Sequence, residues 1–183
     1  MVLTRHKFTA DEYEVISASG IFKEDDHIEL IDGEIIEMSP IGIRHMSCVN
    51  RLTNILKRKV GETAIVSVQN PIRLGAHSEP EPDIVLLRPK ENFYADAYPT
   101  LHDIFLVIEV ADTSAAYDRE VKLPMYAEAG IIEVWLVNLN DEAIEVCREP
   151  RNGFYEQRQV MRHGETLSLL SLTLTMEMKE ILG

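Results

Sequence analysis

Two acidic residues, Asp83 and Glu109, stand in apolar stretches of this sequence. Asp83 follows Pro82 and opens the run 83–87, and Glu109 is the one polar residue of the run 105–111. Such runs are typical of buried strands, where an ionised carboxylate is costly unless it is paired. If the two strands are neighbours, the carboxylates could share a divalent cation such as Mg²⁺ or Mn²⁺, because hard cations prefer oxygen ligands.

Two other interpretations of Glu109 are a partly exposed position at a strand end and a salt bridge to an arginine. Side chains alternate along a strand, so Glu109 is expected to share a face with Phe105, Val107 and Ala111. A charge among those apolar side chains calls for a partner. The pattern therefore favours the cation site.

The first elements that must position these residues are two helices and a hairpin. Segment 8–20 predicts a short helix that Thr9 caps and Gly20 ends. Segment 27–39 contains two β-rich runs around an Asp-Gly pair, a strong hairpin signal. Segment 43–60 has apolar residues at helical spacing and a glycine directly after it.

The rest of the chain alternates strands with one further helix and a terminal one. Strands are predicted at 64–74, 83–87, 103–111, 131–139, 142–149, 153–161 and 166–170, and helices at 114–128 and 175–182. This order predicts one domain, 1–183, of the α/β class: a mixed β-sheet flanked by helices, with an N-terminal β-hairpin and extra C-terminal strands. Trp135 is expected in the core.

Composition and chain length limit the classes of protein to which this sequence can belong. The chain has 183 residues, 45% of them hydrophobic, which suits one compact domain. No apolar run is long enough for a membrane helix, and the N-terminus lacks the apolar stretch of a secretory signal. Cys48 and Cys147 are isolated from each other and show no zinc spacing. The simplest expectation is a cytoplasmic protein with reduced thiols.

Charge is segregated along the chain. The net charge is −13, which taken whole argues against nonspecific nucleic-acid binding. The window 38–78 nevertheless contains six basic residues and one acid. The expected DNA-binding residues in the helix 43–60 are Arg44, Arg51, Lys57, Arg58 and Lys59. The alternative is a solvated basic helix face.

The two acidic runs carry a family resemblance. "PDIVLL" followed by "VIEVA" resembles the metal-binding core of the PD-(D/E)XK nuclease superfamily, which has Pro-Asp on one strand and an acid, any residue and a lysine on the next. Pro82-Asp83 match the first half, and Glu109 begins the second. Ala111 stands where the lysine is expected. The resemblance implies that Asp83, Glu109 and the backbone carbonyl of Val110 hold the metal.

Two further segments resemble one branch of that superfamily, the Uma-two family of restriction endonucleases. They are "IELIDGEIIEMSPIGIRH" (28–45) and "YDREVKLPMYAEAGIIEVWLV" (117–137). In this branch the lysine is thought to have moved to the following helix, which implies Lys122 here, with Asp118 placed to position it. An ordinary surface salt bridge is the alternative for that pair. Pro124 should either kink the helix or make the preceding segment a separate turn.

Three weaker candidates are plausible supporting residues in the same resemblance. Glu34 follows the hairpin turn and could point toward the metal, or lie elsewhere. His45 could approach a phosphate or a metal-bound water, or simply cap its helix. Gln69 could hydrogen-bond the site, or pair only within the sheet. Glu79 and Glu81 are expected to be solvated loop acids.

The expected function is a metal-dependent endonuclease that hydrolyses DNA, with RNA left open and with homodimerisation expected because cleavage of both strands often uses two active sites. One alternative is a nuclease fold that has lost catalysis and serves as a module for nucleic-acid binding or protein assembly. A second alternative is an interaction protein in which Glu109 makes only an internal ion pair. The chain has no base-reading motif, so no recognition sequence is predicted.

Overall fold

A computed structural model describes residues 3–23 and 26–183. Its centre is a six-stranded sheet in the order β3-β4-β5-β6-β7-β8, and it has two smaller two-stranded sheets, β1-β2 and β9-β10. The strands are β1 (Ile28–Ile31), β2 (Glu34–Glu37), β3 (Ile65–Val68), β4 (Ile84–Leu87), β5 (Ile104–Ala111), β6 (Glu133–Asn138), β7 (Ala143–Arg151), β8 (Phe154–Met161), β9 (Thr166–Ser168) and β10 (Thr175–Glu177).

Helices flank the sheet on both faces. They are α1 (Ala10–Ala18), α2 (Ile43–Val60), α3 (Ala115–Tyr117), α4 (Leu123–Ala129) and α5 (Met178–Leu182), with a π-helical turn, Asp118–Lys122, between α3 and α4 and a 3₁₀ turn, Leu101–Asp103, before β5. Helix α2 packs with the C-terminal segment on one face of the sheet, and α4 packs on the other. The sheet thus lies between two layers of helix.

The pairing within the large sheet is antiparallel except between β5 and β6, which are parallel. The helical segment Ala115–Ala129 is the crossover that this parallel pair requires. Every residue of β4, β5 and β6 is buried. A ligand can therefore reach this part of the sheet only at the ends of the strands.

The predicted architecture is confirmed, including the mixed sheet, the flanking helices, the hairpin and the extra C-terminal strands. Helix α2 covers the predicted residues, and the Thr9 hydroxyl accepts the Glu12 N–H in a capping box. The predicted terminal helix begins later than expected, because the residues of β10 pair with β9. Trp135 is fully buried, as expected.

The hairpin turn shows why its glycine is required. Asp32 and Gly33 have φ of 47° and 75°, the left-handed conformation that the two-residue turn joining β1 and β2 demands. A Cβ added at Gly33 would lie 2.6 Å from the Cβ of Lys7. Glycine thus permits both the turn and the close approach of the N-terminal segment.

Candidate active site

Asp83 and Glu109 meet at one end of the sheet. Ile84 of β4 pairs with Ile108 of β5 in antiparallel register, so Asp83 and Glu109 face each other as the next pair. Both side chains are largely buried, with 13% and 5% of their surface exposed. The strand arrangement expected from the sequence therefore brings the two carboxylates together.

Asp83 is held through one of its two oxygens. Its Oδ2 accepts a hydrogen bond from the backbone N–H of Val110 at 2.8 Å and lies 2.9 Å from Nε2 of His45, near the start of α2. Burial lowers the pKa of His45, but the hydrogen bond and charge of Asp83 raise it by more, so the net shift is upward. The other oxygen, Oδ1, accepts no hydrogen bond from the described residues.

Glu109 is held in the same one-sided way. Its Oε1 accepts hydrogen bonds from the hydroxyl of Tyr126 at 2.6 Å and from Nζ of Lys122 at 3.3 Å. Its Oε2 has only a long contact of 3.5 Å with the N–H of Asp83. Burial raises the pKa of Glu109, although the Lys122 charge and the Tyr126 hydroxyl act to lower it.

Lys122 points inward because of a local change in helix geometry. The N–H of Leu123 bonds to the carbonyl of Asp118, five residues back, in the π-helical turn. This turn directly precedes α4, whose first turn contains Pro124, a position that tolerates a missing N–H. The predicted separate turn is thus present, and Lys122 is 4% exposed. Single π-turns of this kind are frequent at functional sites.

The partner that sequence reasoning missed is Glu29 of β1. It is fully buried, and its Oε2 lies 3.1 Å from Nζ of Lys122 and accepts the N–H of Glu81 at 3.2 Å. A signal existed, because Glu29 is the one acid in the apolar run Ile28–Ile31, as Glu109 is in β5. The hairpin therefore supplies a second carboxylate for the lysine.

Asp118 lies beside this cluster without bonding to Lys122. Its Oδ2 accepts the hydroxyl of Ser114 at 2.7 Å, and within the described chain the ion pairs of Lys122 are to Glu29 and Glu109. In the π-turn the four-residue spacing no longer matches one helical turn. Asp118 is 4% exposed, and burial raises its pKa above the ordinary range.

Of the three weaker candidates, two lie at the cavity and one does not. His45 and Gln69 line the same cavity as the carboxylates, and the backbone N–H of Gln69 donates to the carbonyl of Asp83 at 3.1 Å. The side chain of Glu34 is instead exposed and lies 3.8 Å from Arg5. Glu34 is not among the residues that line the cavity, and the buried acid of the hairpin is Glu29.

The prediction of solvated loop acids at Glu79 and Glu81 is wrong. Glu79 is 3% exposed, and its Oε2 accepts a hydrogen bond from Nε of Arg73 at 3.1 Å. Burial raises the pKa of Glu79 although Arg73 opposes the shift. Glu81 is partly buried and lines the cavity. The loop before β4 is buried because the hairpin packs against it through the Leu30–Glu79 bridge.

The basic residues of α2 do not form one free surface. Arg44 donates hydrogen bonds to Asp112, Asn140 and the carbonyl of Leu139. Two others hold the C-terminal segment, since Arg51 donates to the carbonyl of Ile181 and Lys59 to that of Thr175. Packing of that segment against α2 explains this partial departure from the prediction.

Lys57 and Arg58 are exposed, and no ion pair to either is seen in residues 3–23 and 26–183. At 1.5 Å per residue, Lys57 is about 18 Å along the axis of α2 from His45. These two cations therefore lie at the end of α2 remote from the carboxylates.

The carboxylates lie in a cavity of about 420 Å³. One wall comes from the hairpin and the loop that follows it, and the other from the end of β5 and the helical turn after it. The acidic lining residues are Glu29, Glu37, Glu81, Asp83, Glu109, Asp112 and Asp118. Three buried polar atoms of lining residues have no partner in the described chain: Oε1 of Glu29, Nδ1 of His45 and the hydroxyl of Tyr117.

Two carboxylate oxygens and one backbone carbonyl are available as ligands for a hard cation. Within the described residues, Oδ1 of Asp83 accepts no hydrogen bond and Oε2 of Glu109 accepts only the long one of 3.5 Å. The carbonyl of Val110 points to the same side of β5 as its N–H, which bonds to Asp83. Within the described ranges no group of three or more His, Cys, Asp or Glu side chains that could hold a metal ion is found. A cation bound here would have two carboxylate ligands and one carbonyl ligand from the protein, and Mg²⁺ usually retains several water ligands besides such protein ligands.

Comparisons with known proteins identify a family and a similar fold. Residues 10–179 match the family model described as "Uma2: Putative restriction endonuclease". A crystal structure of a "putative nuclease belonging to DUF820" from Anabaena variabilis is similar over 96% of this chain and 97% of that chain, with 17% sequence identity and a TM-score of 0.74. No curated protein matches the chain. None of the described helices is long and apolar enough to cross a membrane.

Proposed function

The chain belongs to the Uma2 family, and from that premise we propose that it is a Mg²⁺- or Mn²⁺-dependent endonuclease that hydrolyses phosphodiester bonds of DNA. One observation carries the proposal. Asp83 and Glu109 face each other, and within the described residues each accepts close hydrogen bonds through one oxygen only, with Lys122 3.3 Å from Glu109. Carboxylate oxygens without a close hydrogen-bond donor, brought together at one cavity, are ligands of the kind that a hard divalent cation prefers.

Asp83, Glu109 and the carbonyl of Val110 would hold the cation. A bound Mg²⁺ supplies Lewis-acid polarisation of a phosphoryl oxygen and lowers the pKa of a water ligand. The protein's part is to orient the two carboxylates before the cation arrives. His45 and the N–H of Val110 do this for Asp83, and Tyr126 does it for Glu109.

Lys122 would act as a charged hydrogen-bond donor in the site. Burial lowers the pKa of Lys122, but the charges of Glu109, Glu29 and Asp118 raise it by more, so the ammonium keeps its proton. A protonated lysine cannot take a proton from the attacking water. It can orient that water and stabilise the negative charge that develops on the phosphate. Glu29 would position it.

Binding of DNA would extend beyond the cavity. Lys57 and Arg58 are available for phosphate contacts on the exposed side of α2, whereas Arg44, Arg51 and Lys59 already hold other parts of the chain. We propose two copies per active assembly, since cleavage of both strands often uses two active sites. The buried, unbridged cysteines support a cytoplasmic location.

Plasmid cleavage tests the activity. Purified protein with Mg²⁺ or Mn²⁺ should nick or linearise supercoiled DNA, and chelation should stop it. Asp83→Asn and Lys122→Met should each abolish cutting, because they remove a metal ligand and the charge next to Glu109. Glu128→Gln, at an exposed helical site, is the control and should cut normally. Cutting that survives both changes would refute the assignment.

A binding or assembly module is the second candidate function. Ala111 in place of the strand lysine and the net charge of −13 favour it. Calorimetry with Mg²⁺ separates the two. Binding that Glu109→Gln removes, without any DNA cleavage, would indicate a nuclease fold that keeps its metal site and has lost catalysis. If Glu109→Gln mainly lowers stability and no metal binds, Glu109 has only a structural ion pair.

A further inference from the structure

Strand β8 forms an open edge of the large sheet. It is the last strand in the order, and among the described residues it pairs with β7 on one side and with no strand on the other. Six of its eight residues are exposed, including two large apolar side chains, Phe154 at 57% and Val160 at 49%. An edge of this length offers unpaired N–H and C=O groups to another strand.

The sequence of β8 is complementary to itself. If two copies pair antiparallel about a two-fold axis at Gln157, Phe154 lies opposite Val160 and Glu156 lies opposite Arg158. Each of these pairs occurs twice by symmetry. Opposite residues in an antiparallel pair have Cβ atoms about 4.5–5.5 Å apart, and apolar and opposite-charge pairs there are favourable.

Neighbouring registers lack this match. An axis at Glu156 would place that carboxylate opposite its own copy, and an axis at Arg158 would do the same with two guanidinium groups. Like charges directly opposite each other destabilise a pair of strands. Of these three registers, the one centred on Gln157 is therefore the most favourable.

Contacts within the chain leave both charged residues available. Arg158 donates to Glu145 through one nitrogen at 2.7 Å, and a guanidinium has further donors. Glu156 has one oxygen 3.0 Å from Arg151. The side chains remain 47% and 41% exposed. Each can meet a second partner without giving up the first.

We propose that β8 is the interface of a two-fold homodimer, in which a second copy of this chain extends the sheet through antiparallel pairing centred on Gln157. Three strand spacings separate β8 from β5, about 14 Å. Dimerisation therefore leaves the cavity of each copy open. This proposal does not depend on nuclease activity.

A cysteine pair tests the register. In the proposed dimer Gln157 lies opposite its own copy, so Gln157→Cys should form an intermolecular disulfide under mild oxidation. Gln159→Cys is the matched control, also exposed on β8, but the two copies of residue 159 would be about 13 Å apart. The native Cys48 and Cys147 are buried and should not react.

Charge complementation tests the surface. Glu156→Lys places two positive pairs in the interface and Arg158→Glu two negative pairs, so each variant alone should be monomeric by sedimentation. Their equimolar mixture should form a heterodimer, because both cross-strand pairs are then attractive. Glu128→Lys makes the same charge change away from the edge and should remain dimeric, and circular dichroism checks the fold of each variant.

The outcomes are decisive in both directions. A dimeric wild type, cross-linking at 157 but not at 159, and recovery in the mixture would support the interface. A monomeric wild type at high micromolar concentration would overturn it. So would equal cross-linking of the two cysteine variants, or a mixture of charge variants that stays monomeric.

Discussion

Removal of the Tyr126 hydroxyl should weaken metal binding although the packing of the ring is kept. Tyr126 is fully buried, and its hydroxyl donates to Oε1 of Glu109 at 2.6 Å. Tyr126→Phe keeps the ring and deletes only this bond. A hydrogen bond to a charged group contributes about 1.5–3 kcal/mol. Glu109 would then be oriented by Lys122 alone, and its Oε2 would no longer be held in place for a cation.

Two separate magnitudes give the expected loss of metal affinity. If the variant loses the whole bond in the metal-bound state, 1.4 kcal/mol per factor of ten converts about 1.5–3 kcal/mol into roughly a 10- to 150-fold weaker affinity. Residues that orient a metal ligand typically contribute about 10- to 100-fold to affinity or activity. We therefore expect the Mg²⁺ or Mn²⁺ affinity of Tyr126→Phe to fall by about 10- to 100-fold in calorimetry.

Tyr155→Phe is the matched control. Tyr155 is also buried, and its hydroxyl donates to the carbonyl of Ile131 at 2.9 Å. It should lose about 1 kcal/mol of unfolding free energy and keep wild-type metal affinity. If Tyr126→Phe also binds metal like the wild type, the hydroxyl only stabilises the fold, and the argument from one-sided bonding of Glu109 fails.

Two further predictions concern stability. Burial raises the pKa of Glu145, but hydrogen bonds from Arg119 and Arg158 lower it by more, so the net pKa lies below its ordinary value of 4.5. The stabilisation of the fold by ionised Glu145 should therefore be complete above pH 4.5 and be lost as the pH falls through the folded-state pKa. The difference in melting temperature between wild type and Glu145→Gln should shrink over that range, and a difference that grows on acidification would contradict it. Gly33→Ala should destabilise more than Gly75→Ala in urea unfolding, because both have positive φ, a cost of about 1–2 kcal/mol, but only at Gly33 does the new Cβ meet the N-terminal segment. Equal losses would show that this contact is easily relieved.

Local patterns were sufficient for most of the elements. The apolar spacing and terminal glycine of α2, the capping box of α1 and the Asp-Gly hairpin turn each depend on residues close in sequence, and the structure has all three. The acids in apolar runs indicated Asp83 and Glu109 for the same reason. Burial makes an unpaired carboxylate costly, so its position in the pattern carries information.

Long-range packing decided what those patterns left open. Glu34 and Glu29 are both hairpin acids, and only the packing of β1 against the loop before β4 shows which one is buried. The basic residues of α2 look alike in sequence, yet the C-terminal segment engages Arg51 and Lys59 and leaves Lys57 and Arg58 exposed. Such choices depend on contacts between residues more than 40 positions apart.

The sequence by itself indicated that two acids lie in buried strands and showed that alanine stands at the position of the expected strand lysine. It could not determine where Lys122 points, because a regular helix and a π-turn before Pro124 are both compatible with the local residues. Tertiary structure decided this. Lys122 is buried between Glu29 and Glu109, and the attraction of those two carboxylates offsets the cost of removing the ammonium from water.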